Sequence, residues 1–277
     1  MLMENLFRVI QEIYTSPFNL MLVTGFVLAE WLVAAQYVNR RVHLALDVLG
    51  FTAGMLFIPI IYSFLREVTE YAASMNWAAI LEGMQTLPAW AKLALCALCI
   101  DFTGYWVHRA MHHFPCLWAT HRWHHSIEQL YWFSGFRASF FQILILGIPQ
   151  IVFPFLVFRM TLLEAAIAMG IINFLQFWKH ANIRVPWEPL EGLFVTPHYH
   201  SIHHKRGQAQ QHNFGFMFTI WDRLFGTRLP SRQLARPFAM GLTPPQKKRS
   251  GEWSWDCKRA GLLPEWSPLN LEVPVAF

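Results

Sequence analysis

Five stretches of this chain run for 18 to 22 residues with at most two charged side chains each: Pro17 to Val38, Asp47 to Leu65, Ala89 to Val107, Ser139 to Phe158 and Thr161 to Trp178. A helix rises about 1.5 Å per residue, so the longest covers about 33 Å, enough for a hydrocarbon core of about 30 Å. The other four lie close to the lower limit, where tilt or partial insertion is an option. Charged residues make up 14% of the chain and hydrophobic residues 55%, against roughly 25% charged in an ordinary soluble domain. A surface so short of charge faces lipid.

The stretches fall into an order. Pro149 and Pro154 should kink the fourth, and Arg159 with Met160 leaves almost no loop before the fifth, so those two form a tight helical hairpin. With Arg40 and Arg41 placed in the cytoplasm by the positive-inside rule, the second and third stretches return the chain to the same side at His108. The reading is therefore all-α: a multi-pass membrane domain of about four to five spans or half-spans, capped by a cytoplasmic, histidine-rich helical lobe. Residues 1–88 supply N-terminal membrane helices, 89–229 the histidine-bearing domain, and 230–277 an irregular tail rich in proline and tryptophan, among them Pro244, Pro245, Trp253, Trp255 and Trp266.

The formal net charge of +5 does not point to nucleic acid. Basic residues flank apolar stretches or lie among the histidines, as Arg109, Arg122, Lys205 and Arg206 do. Of the four cysteines, Cys96 and Cys99 sit one helical turn apart inside an apolar run, where neither a disulfide nor a zinc knuckle is plausible. Cys116 and Cys257 stand alone.

Twelve of the 13 histidines lie between His108 and His212. His108 and His112 are four apart at the end of the third stretch and share a helix face. HRWHH supplies His121, His124 and His125, and HSIHH repeats that spacing with His200, His203 and His204, so each cluster is expected to aim several imidazoles at a common point. Protonated, so many imidazoles would repel one another, whereas metal coordination keeps them neutral. Imidazole suits zinc, copper, iron and nickel alike. One zinc needs about four ligands, so roughly nine histidines imply two ions. No histidine is followed by glutamate, which excludes the HExxH signature of zinc proteases. His43 and His198 read as hydrogen-bonded structural residues.

The stretch DFTGYWVHRAMHH, followed by HRWHHS, HANI and TPHYHSIHHKRGQAQQHNFGFMFTIWDRLFGT, resembles the fatty acid hydroxylase and sterol desaturase superfamily of integral membrane oxygenases, from about Asp101 to Thr227. The resemblance implies a non-haem centre of two iron ions and molecular oxygen as co-substrate. It also implies a lipid, sterol or isoprenoid substrate, hydroxylated or desaturated at an unactivated C–H bond. Carried over, the ligands are His108, His112, His121, His124, His125, His180, His200, His203 and His204. His113 and His212 stand as a tenth ligand or outer groups, and Asp101 and Asp222 as carboxylates that orient ligand imidazoles.

Such chemistry requires two external electrons. The chain carries no G-x-G-x-x-G fingerprint, no C-x-x-C-H haem attachment and no four-cysteine iron–sulfur set. The resemblance accordingly implies a separate ferredoxin or b-type cytochrome with its reductase; such carriers are commonly acidic, so the basic face around Arg122, Lys205 and Arg206 is the expected docking surface. The competing class is a metal-binding membrane protein or transporter. Transporters place ion sites near the bilayer midplane, whereas these histidines follow the spans.

Overall fold

In the computed structural model the described residues are 17–41, 43–74, 78–184, 189–234, 236–242, 246–247, 253–255 and 273–274. Nine α-helices are seen among them: α1 Pro17–Leu32, α2 Leu44–Ser74, α3 Ala78–Gln85, α4 Ala89–His113, α5 Pro115–His121, α6 Phe140–Ile151, α7 Leu162–His180, α8 Pro197–His203 and α9 Ile220–Leu224. A small antiparallel ladder joins Gln246–Lys247, Trp253–Trp255 and Val273–Pro274. Cys257 and Trp266 lie outside the described residues.

Three segments are long and apolar enough to cross a membrane: α2 with 31 residues, α4 with 25, and α6 with its continuation, Phe140–Val157, with 18. No more than 33% of their most apolar windows is buried. Leu49, Leu56, Ile60 and Phe64 of α2 are each at least 50% exposed. Apolar area left in water costs roughly 25 cal/mol per Å², a cost that hydrocarbon removes. The chain is a membrane protein.

Two of the five expected spans differ. The first ends at Leu32 instead of Val38 and has 16 described residues, because the chain beyond it leaves the helix to pair with the segment that follows α7. Ala34 bridges Ile183, the Ala35 amide donates to the Asn182 carbonyl at 3.0 Å, and the Arg184 amide donates to the Val33 carbonyl at 2.7 Å. The last of the five is α7, whose 19 residues begin in a Thr161/Glu164 capping box and end in Lys179 and His180; it is not among the three that meet the length and hydropathy needed to span. The expected kink is a change of helix type. Pro154 has no N–H to give, and the ladder passes into a π turn at Val152–Val157, with Phe158 N–H reaching the Phe153 carbonyl five residues back at 3.0 Å.

α2 packs along α6, with Ile61, Leu65 and Ile151 buried between them and Phe57 meeting Phe140 edge-on at 5.2 Å. Near its start, α2 touches the 3₁₀ turn Trp132–Phe136 so closely that a Cβ on Gly50 would lie 2.8 Å from the Phe136 carbonyl oxygen. Asp101, inside α4, accepts from the Met217 and Phe218 amides and from Trp221 Nε1 at 2.5, 3.2 and 2.7 Å. It thereby ties the C-terminal lobe to a spanning helix.

The Arg40–Arg41 loop lies on the histidine-bearing lobe: the Asn39 amide donates to Gln129 Oε1 at 2.6 Å, and the Arg40 guanidinium stands 5.5 Å over the Tyr131 ring. In a chain with its native cysteines replaced, single cysteines at Arg41 and Gln208 are expected to be labelled from the same side of the membrane by an impermeant maleimide. Labelling from opposite sides would contradict this arrangement.

Candidate metal centre

Nine imidazoles meet where α4, α5, α7 and α8 converge, and they divide into two groups: His108, His112, His121, His125 and His203, and His124, His180, His200 and His204. Within each group one nitrogen from every ring lies within 4.8 Å of the others, and all nine residues are buried, His108 most exposed at 6%. All nine histidines singled out in the sequence are thus brought together.

The grouping corrects the expectation that each motif aims at a common point. Successive residues of a helix diverge by about 100°, so the neighbours in HRWHH and HSIHH cannot share a centre. His121 and His125, one turn apart on α5 and its 3₁₀ continuation, face the first group, while His124 turns to the second. In the other motif His203 joins the first group, and His200 and His204 join the second.

Proton accounting shows what the cage can hold. A neutral imidazole carries one N–H. At His124 that proton is committed at Nδ1 to the Arg137 carbonyl at 3.0 Å, and at His180 to the Gln176 carbonyl at 2.7 Å. Their Nε2 atoms nevertheless face each other at 3.2 Å, lone pair against lone pair. His108 and His203 commit Nδ1 in the same way, to the carbonyls of Phe214 at 3.0 Å and His212 at 2.8 Å, and turn Nε2 toward His121 at 3.1 Å and His125 at 3.0 Å. Both nitrogens of His112 are buried without a hydrogen bond. Two nitrogens about 2.1 Å from one ion and 90–109° apart are separated by about 3.0–3.4 Å. The spacing and the outward lone pairs fit two metal ions.

Burial holds the rings neutral. It pushes His121 down to about 4 and His203 down to about 3; His124, His125, His200 and His204 also fall well below 6.5, first through burial and then through neighbouring imidazoles.

Several outer residues differ from expectation. Neither Asp101 nor Asp222 touches an imidazole. Asp222 accepts from the Phe214 and Gly215 amides at 2.9 Å each, from Thr227 Oγ1 at 2.6 Å and from Tyr199 at 3.0 Å, fixing the carbonyl that in turn orients His108. His212 serves through its backbone oxygen, and His113 lies outside both groups. His43 meets Glu128 at 3.2 Å and His198 donates to the Leu234 carbonyl at 3.0 Å, the structural roles expected of them.

Other contributors depend on contacts between distant residues. Buried Arg137 donates through Nε to Asp47 Oδ1 at 2.9 Å and through Nη2 to the same oxygen, while Tyr131 donates to Asp47 Oδ2 at 2.7 Å. This fixes the carbonyl that orients His124. Gly135 leaves room for His180, since a Cβ there would sit 2.7 Å from its Nδ1. Lys179, 5% exposed, places its ammonium 3.8 Å from the centroid of the Phe216 ring. One signal for Asp47 was available: a carboxylate at the head of an apolar helix needs a partner.

The site and fold together define a class: helical membrane proteins with a two-centre histidine cage on one side of the spanning segments. A family profile described as fatty acid hydroxylase matches residues 93–227. Among relatives, the fatty acid hydroxylase vlmA of a Lecanicillium species is 29% identical over 68% of this chain and 53% of its own length. The alkylglycerol monooxygenase of Xenopus tropicalis is 32% identical over 53% of this chain and 32% of its own. Methylsterol monooxygenase 1-3 of Arabidopsis thaliana is 34% identical over 50% and 47%. The chain thus spans from about a third to about half the length of these relatives. No solved structure matches significantly. Over residues 93–227, just under half of the chain, the sequence is similar to the fatty acid hydroxylase and sterol desaturase superfamily.

Two expectations follow. His121 and His203 sit near 4 and 3 when folded and near 6.5 when unfolded, so below pH 6.5 the unfolded chain binds more protons and stability falls with pH. The metal-free protein should lose melting temperature steadily as pH falls from about 6.5 toward 4; an unchanged melting temperature over that window would contradict buried neutral rings. Gly135→Ala should displace His180 and lower metal content while membrane insertion persists. Wild-type metal content in that variant would contradict the contact.

Proposed function

We propose that this chain is a membrane-bound oxygenase that oxidises a C–H bond of a lipid-type substrate with molecular oxygen, using two iron ions. His108, His112, His121, His125 and His203 would hold one ion, and His124, His180, His200 and His204 the other. The observation that carries the reading is the pair of Nε2 lone pairs facing each other at His124 and His180, 3.2 Å apart with both Nδ1 protons committed elsewhere. Iron in such a cage supplies oxygen reduction and the removal of hydrogen from an unactivated carbon.

The protein's own part is positional. Four backbone carbonyls hold protons at Nδ1 of His108, His124, His180 and His203, which leaves each Nε2 free to ligate. Two aromatic rings wall the first group and exclude water: Phe214 lies 5.6, 5.3 and 5.6 Å from the rings of His108, His112 and His203, and Trp118 lies 5.1 and 5.4 Å from those of His112 and His125. The apolar flanks of α2, α4 and α6 suit a substrate that arrives from the bilayer. Relatives named for fatty acids, alkylglycerols and methylsterols support a lipid-type substrate, and names of hydroxylases and monooxygenases favour oxygen insertion over desaturation.

Electrons come, on this reading, from a separate ferredoxin or b-type cytochrome with its reductase, docking on the cytoplasmic face of the lobe. Arg206 is partly engaged, donating to Glu128 at 2.9 Å and to the Met240 carbonyl at 2.9 Å. Arg122 and Lys205 form no ion pair among the described residues, so they carry the attraction for an acidic carrier.

With reductase, carrier, oxygen and candidate lipids, mass spectrometry is expected to find an oxygenated product from the wild type. His124→Ala and His203→Ala should each give none while still inserting into membranes. Wild-type product in either variant would overturn the ligand assignment, and sustained turnover without a carrier would overturn the electron route.

A further inference from the structure

A second feature lies apart from the cage, where α1 ends. A cavity of about 580 Å³ opens there, lined by Glu30, Gln36, Asn39, Arg40, Arg41 and Asn182 among others, and its size falls within the roughly 300–1,000 Å³ of small-molecule sites. We propose that it binds the phosphate headgroup of an anionic membrane lipid. Neither the metal assignment nor the reaction enters this inference.

Charge decides the kind of ligand. The Glu30 side chain is fully buried, and Arg40 donates to its Oε2 at 2.8 Å. Its Oε1 takes the Trp132 amide at 2.7 Å and the Asn182 amide at 2.8 Å. That carboxylate is therefore fully occupied and offsets one guanidinium. Arg41 is exposed and forms no ion pair among the described residues, which leaves the cavity with an uncompensated positive charge. A planar guanidinium is well matched to phosphate oxygens.

The wall is rigid enough to hold a shape. The Gln36 amide donates to Asn182 Oδ1 at 3.2 Å, and Asn182 Nδ2 donates back to the Gln36 carbonyl at 2.7 Å. These bonds lock the loop onto the segment two residues beyond His180.

Location separates a lipid from a free anion. The last turn of α1 exposes Trp31 and Leu32 at 78% and 68%, and Tyr37 at the cavity rim is 90% exposed. Aromatic rings at a helix end mark the lipid–water boundary. An acyl chain lying on the apolar face of α1, past Met21 at 64% and Leu28 at 49%, would deliver its phosphate to the cavity. A soluble anion would gain nothing from that face.

The test is lipid retention by the full chain in detergent, read by native mass spectrometry with phosphatidylglycerol, phosphatidylcholine, diacylglycerol and glycerol phosphate as probes. Phosphatidylglycerol should be retained over the zwitterionic and uncharged lipids. Arg41→Gln should lower its retention about fivefold, the effect of one basic residue near an anionic surface, with no change in melting temperature. Arg66→Gln, which alters another exposed arginine far along α2, should leave retention unchanged. Equal retention by Arg41→Gln and wild type, or equal retention of diacylglycerol, would overturn the proposal. Binding of glycerol phosphate as tight as that of phosphatidylglycerol would identify a soluble-anion site and overturn the lipid assignment.

Discussion

An imidazole that has given its only proton to a backbone carbonyl has nothing left to offer a neighbour but a lone pair. His108, His124, His180 and His203 are all in that state, and the arrangement around them depends on it. Burial forbids the alternative of protonating the rings, since a buried imidazolium would lack both water and a counter-charge. Nine neutral rings converging in two groups are thus a cost to the folded chain until cations occupy them, and the remainder of the structure holds the rings in place against that cost.

Much of that support comes from buried carboxylates that receive backbone amides or, at Asp47, the side chains of Arg137 and Tyr131, and not imidazoles. Asp222 pins Phe214, Asp47 pins Arg137, Asp101 pins Met217 and Phe218, and Glu30 pins Trp132 and Asn182. Each receives several donors, as a buried charge requires. Two of them, Asp47 and Glu30, belong to the N-terminal helices, outside the matched stretch of residues 93–227. The first two helices therefore contribute to the geometry of the cage as well as to the contact with lipid.

The parts of this organisation that follow from local spacing were legible in the sequence. His108 and His112 share a helix face because residues four apart do, and apolar runs longer than a dozen residues announced α2, α4 and α6. Other features rest on contacts between distant residues. The pairing of Asp47 with Arg137 joins positions 90 apart, and nothing in either neighbourhood identifies the partner. The end of α1 at Leu32 follows from the bridge between Ala34 and Ile183, which no hydropathy window contains. The division of HRWHH and HSIHH between two centres also follows from local geometry, since adjacent helical residues diverge by about 100°.

The central claim is that the cage is built for two ions with nitrogen ligands. Metal analysis of the purified protein, combined with X-ray absorption at the iron edge, addresses it directly. The account predicts close to two iron ions per chain, each with a nitrogen-only protein shell and no sulfur scatterer. One ion per chain, or a shell containing the thiolate of Cys96 or Cys99, would contradict it.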